Sequence, residues 1–127
     1  MNDSPKQQVA RLDDIERRGR SIPVREHFGI HAFGANAYTS REDGTLINDH
    51  DESGSGQEEL YVRLAGSGAV VLDDDGTELP LDADRLAAVG PGVARTVRSG
   101  PEGLRVLIIG GTPGKAYEPP DWSSQGE

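Results

Sequence analysis

The stretch NDHDESGSGQEELYVRLAG, Asn48 to Gly66, sets one histidine and a cluster of carboxylates just before a run patterned as a β-strand. His nitrogen and carboxylate oxygen are ligands for Zn, Fe or Mn, and a His beside a Glu can also serve as a general base and acid. With no cysteine in the chain, thiolate ligands, a cysteine nucleophile and disulfides are all excluded. Strand alternation places Glu59, Tyr61 and Arg63 on one face and Leu60, Val62 and Leu64 on the other, so if Glu59 points inward Arg63 follows it. His50 and Glu59 are the candidate reacting pair. Each also has an ordinary reading: a loop histidine is commonly just solvated, an edge-strand glutamate faces water, and Arg63 can be a surface cation. Tyr61 and Phe33 read as core or wall residues.

The elements that must position these side chains are mostly short strands. Gly 17 and Pro 8 in 127 residues, with turn signals through the middle of the chain, favour an all-β domain. Val9, Leu12 and Ile15 recur every third residue before Gly19, which predicts one short helix. Alternation from VREHFG through NAYTS predicts the first long strand or strand pair, followed by a turn at REDG and a strand at TLIND. AVVLDDDGTELPL predicts a hairpin, because Gly76 accepts the positive φ such turns need; Asp73, Asp74 and Asp75 then solvate the turn. The region from Asp82 to Gly111 reads as three more strands broken at GPG and SGPEG, the last of them, LRVLIIG, buried. The proline-bearing tail should run extended over the surface, pinned by Tyr117 and Trp122.

The formal charge of −9 argues against a nucleic-acid surface, which needs clustered Lys and Arg. No apolar run approaches membrane-spanning length and the N-terminus lacks a signal-peptide core, so a soluble, cytoplasmic chain is expected. The length suits one domain over residues 9–122, with 1–8 and 123–127 as mobile ends.

The region from about Phe28 to Gly110 resembles the cupin superfamily. Glu59 and Gly66 keep the six-residue interval of that family's first motif, and Gly92, Val93, Ala94 and Arg95 keep the interval of its second. Asn48 stands where the first motif has its leading His, His50 where it has the second, and Arg95 where the second motif has its own. The loop from His50 to Glu59 is longer than the family's pattern. The resemblance implies a double-stranded β-helix, a jelly-roll barrel with a pocket at one end, where the residues alone leave an immunoglobulin-like sandwich equally open. It further implies that Asn48, His50, Glu59 and Arg95 gather at the place where a cupin holds its metal.

An amide such as that of Asn48 is a weak ligand and a guanidinium is none, so no cofactor is expected beyond a weakly bound divalent metal on His50 and Glu59. Arg95 should instead pair with Glu59. Asp49, Asp51, Glu52, Glu58, His27 and His31 are further ligands that spacing cannot place. The expected pocket comprises Asn48, His50, Glu59, Tyr61, Arg63 and Arg95, meeting a small molecule that bears a carboxylate or other polar group. Two functions stay open: a non-catalytic binding module, or an isomerase, cyclase or lyase using His50 and Glu59, with a metal-dependent oxygenase less favoured. A homodimer covering an open sheet edge is expected.

Overall fold

A computed structural model describes residues 7–41 and 44–119, apart from the side chains of Asn48 and Asp49. Its strands are β1 (Ser21–Ile22), β2 (Gly34–Ser40), β3 (Gly44–His50), β4 (Glu58–Leu72), β5 (Glu78–Leu81), β6 (Leu86–Val89) and β7 (Arg95–Gly111). Every pairing is antiparallel. The two long strands each serve two sheets. In the first, the order is β1, β2, the later half of β7, the early half of β4, then β6. In the second it is β3, the early half of β7, the later half of β4, then β5. This is the jelly-roll arrangement expected from the sequence.

The crossing between sheets needs glycine. The β4–β7 register shifts between Arg63 and Ala65 and again between Gly66 and Gly68. Gly66 has φ +73, and a Cβ there would stand 2.1 Å from the Gly103 carbonyl oxygen. Neither the left-handed backbone nor the contact admits a side chain.

Between the sheets lies one core containing Tyr61, Val106 and Ile108 from the first and Leu46, Val70, Leu81 and Val97 from the second. A smaller cluster of Ile15, Ile22 and Ala37, with Leu12, Val24 and Leu107 against it, lies under the N-terminal segment.

Several expectations need correction. The segment around Leu12 forms only a single 3₁₀ turn, Leu12–Asp14, although Leu12 and Ile15 do pack inward. The α-helix is instead α1 (Val24–Phe28), inside the stretch predicted as strand. Pro23 stands at its N-cap, and Gly29, left-handed at φ 70, ends it by donating its N–H to the Arg25 and Glu26 carbonyls. These caps outweigh the alternation at the start of that stretch, and the strand begins only at Gly34. The Pro-Glu-Gly segment does not interrupt β7, so two strands stand where three were predicted. Strand β3 extends past TLIND to His50. Phe33 is exposed rather than core. The hairpin of β4 and β5 forms as expected, with Leu72 N–H donating to the Thr77 carbonyl at 2.8 Å, and the LRVLIIG segment is buried on alternate residues. Trp122 lies outside the described residues, as do both predicted mobile ends save Gln7 and Gln8.

Candidate functional site

On β4 the polar face turns inward. Tyr61 is fully buried, whereas Leu64 on the opposite face is exposed. Glu59 points the same way as Tyr61 and is 12% exposed. Arg95 opens β7 on the facing sheet, opposite His50 of β3. Its side chain crosses the interior, and Nη2 donates to Glu59 Oε1 at 2.6 Å. The salt bridge expected across the pocket is there.

Arg95 is 0% exposed, and a buried guanidinium must spend its donors inside the protein. Nε donates to the Tyr61 hydroxyl at 3.2 Å, and Nη1 donates to the carbonyls of Gly90 at 3.1 Å and Val93 at 2.8 Å. The residue therefore ties the β6–β7 loop to the core as well as neutralising Glu59. The Tyr61 hydroxyl donates in turn to Glu59 Oε1 at 2.7 Å.

His50 ends β3 at the mouth, with Nε2 3.8 Å from Glu59 Oε1 and 3.6 Å from Glu52 Oε2. Glu52 was one carboxylate among several that the sequence could not rank. Its place is set by the loop: the Glu52 N–H donates to the Pro91 carbonyl at 2.7 Å, and its own carbonyl accepts from Gly56 N–H at 2.8 Å. Asp51 Oδ1 accepts from the Ser53 N–H at 3.0 Å and hydroxyl at 2.7 Å, making a tight turn. Thr112 donates its hydroxyl to the Ser55 carbonyl at 3.0 Å, fastening the loop to the segment after β7.

The two glutamates are driven in opposite directions. Burial pushes Glu59 up, but the nearby His50 imidazole and the hydrogen bonds from Arg95 and Tyr61 outweigh it and hold the carboxyl at about 2. Burial also raises Glu52, and there the neighbouring charge of Glu59 adds to the rise, with His50 opposing. Burial, the charge of Glu59 and the hydrogen bond to it push the Tyr61 phenol up. Thus the surroundings favour the charged form of Glu59 and disfavour that of its neighbour Glu52.

Arg63 is not part of this cluster. Although it shares the inward face of β4, its Nε donates to the Gly66 carbonyl and its Nη1 to the Ala83 carbonyl at 3.3 Å, near the corner of the sheet. His27 and His31 are exposed and outside the cluster. The side chain of Asn48 lies outside the described residues. Among the described residues, one group could gather on an ion: His50, Glu52 and Glu59, each offering one ligand atom within 4.8 Å of the others.

No protein-family profile and no curated protein matches the chain. Solved structures do. A cupin protein from Bacteroides fragilis superposes with a TM-score of 0.68 at 16% identity, covering 94% of this chain and 93% of its own. An RmlC-like cupin from Desulfovibrio desulfuricans gives 0.55 at 16% identity over 87% and 95%. A protein from Silicibacter pomeroyi described as a sugar phosphate isomerase from a cupin superfamily gives 0.63 at 20% identity over 81% and 74%. The chain has the cupin fold, the double-stranded β-helix its motifs resemble. No described helix is long and apolar enough to cross a membrane.

Proposed function

We propose that this cupin-fold domain binds a small polar molecule at the barrel end formed by His50, Glu52 and Glu59, without a tightly held metal. The carrying observation is the division of labour in the cluster. Arg95 and Tyr61 satisfy Glu59 from within, while His50 and Glu52, 29% and 24% exposed, meet solvent at the mouth. Because Arg95 is wholly buried and committed to four hydrogen bonds, it does not greet a ligand carboxylate. It acts as a built-in cation where a cupin metal would stand. The donors His50, Glu52 and Glu59 suffice in number for an ion, but they do not fit a tight site: Glu59 Oε1 already accepts from Arg95 at 2.6 Å and Tyr61 at 2.7 Å, and the guanidinium charge would face the ion directly.

The test uses the histidine ring signals in NMR. A panel of neutral, anionic and cationic metabolites is added to the protein, with exposed His27 and His31 as internal controls. Binding at the site moves His50 alone; a panel that leaves His50 unmoved overturns the reading.

A second reading, proton transfer on the bound molecule as in an isomerase or lyase, is favoured by the opposed shifts of Glu52 and Glu59 on either side of His50. There Glu52 and His50 exchange a proton with the ligand, and Glu59 holds the imidazole in place. Deuterium uptake from D2O into a bound compound, lost in His50→Gln, distinguishes it from binding alone.

A further inference from the structure

Three strands bring a single row of residues beside Glu59. Gly34 of β2 pairs with Gly110 of β7, and Gly110 pairs with Glu59 of β4. Residues paired directly across antiparallel strands project to the same side of a sheet, so the two glycines leave the inner face next to Glu59 without side chains of its own. Other parts of the chain fill it. A Cβ on Gly110 would stand 2.7 Å from Gln57 Oε1, and a Cβ on Gly34 would stand 2.8 Å from the Tyr117 hydroxyl and 2.9 Å from its ring carbon Cε1. Carboxylate, amide and phenol thus stand side by side over neighbouring strands. Two strand spacings separate the ends of the row, about 10 Å.

Tyr117 comes from the segment after β7, and no sequence pattern linked it to the site. Arg25 of α1 lies over its ring, 5.6 Å from the centroid, which helps hold the hydroxyl end of the ring against Gly34. Burial raises the phenol, Arg25 opposes, and the charges of Glu52 and Glu59 raise it further. The hydroxyl is therefore protonated at neutral pH and within electrostatic reach of both glutamates.

We infer that Gln57 and Tyr117 extend the ligand site across the glycine row, and that it takes a neutral, hydroxyl-rich molecule of sugar size. This rests on the binding function proposed above and names its ligand class. The groups that face such a molecule are carboxylate oxygens, an amide, a phenol and an imidazole, which accept hydrogen bonds or both give and accept them. A carboxylate or phosphate would meet Glu52 and Glu59 with Arg95 out of reach. A polyol donates to the carboxylates, which only accept, and accepts from Gln57 and Tyr117 in return.

The experiment follows the ring signals of His50 and Tyr117 while D-glucose, sorbitol, succinate, inorganic phosphate or n-butylammonium is added. A neutral probe moves both rings with one dissociation constant. Tyr117→Phe keeps the ring on Gly34 and the melting temperature, and weakens that binding about five- to tenfold, the worth of one hydrogen bond. Gly34→Ala displaces the ring and weakens it at least as much. If a polyol moves His50 with the same affinity in both variants, the extended row is wrong while the site at His50 stands. Response to succinate, phosphate or butylammonium alone overturns the ligand class and leaves that site standing. If no probe moves His50, both readings fall.

Discussion

Glu59 and Arg95 depend on one another. Removing either leaves its partner charged and buried, which typically costs about 3 to 5 kcal/mol. Glu59→Gln and Arg95→Gln should each lower the melting temperature, and the double variant should lose less than their sum; strictly additive, near-neutral changes would show that the pair carries no coupling. Because Glu59 is held at about 2 against an ordinary 4.5, its contribution is complete above the ordinary value and disappears as pH falls toward 2. Acid unfolding monitored between pH 5 and 2 should be blunted in Glu59→Gln. Glu52 works in the other direction, since its raised carboxyl is a charge the fold disfavours. Glu52→Gln should therefore raise the melting temperature at neutral pH, the usual trade between a strained site and stability. On metal, elemental analysis of protein purified without chelators should find less than one transition ion per chain, and zinc should bind Arg95→His more tightly than the parent. An Fe, Mn, Ni or Zn ion held one per chain in the parent would reverse that reading.

The strands show which features local pattern can carry. Gly66 was visible as the end of a motif interval, but its reason is the contact with Gly103, which lies 37 residues further along the chain. Gly66→Ala should destabilise by more than about 2 kcal/mol in urea unfolding, because a Cβ there strikes backbone rather than a flexible side chain. A near-neutral result would mean the corner can shift. The hairpin at Asp75–Gly76 was legible because its turn chemistry is local. The short helix Val24–Phe28 was not, since its five residues carry no full helical repeat and only the caps at Pro23 and Gly29 define it. Likewise the inward direction of Glu59 was open in the sequence: both faces of β4 offer a rational burial pattern, and the aliphatic one turned outward.

That outward face shapes the whole molecule. Leu60 pairs with Ala88 and Val62 with Leu86, and all four project away from the core alongside Leu64. Leu86 is 62% exposed and Leu64 42%. Apolar strips of this kind commonly meet a copy of themselves across a two-fold axis. A homodimer is the expected state at micromolar concentration by light scattering, and Leu86→Glu should shift it toward monomer. Parent protein running as a monomer would remove that expectation.

The sequence by itself determined the all-β class and the hairpin, because these follow from turn chemistry and alternation, while the pairing of Glu59 with Arg95 came from the motif intervals that resemble a cupin's and place these opposite charges at one point. Only the tertiary structure decided that Arg63 leaves the site, that Glu52 enters it, and that Gln57 and Tyr117 stand over Gly110 and Gly34. Those outcomes depend on how a loop and a tail return across three strands. Contacts between segments so far apart in the chain leave no periodic trace for the sequence to carry.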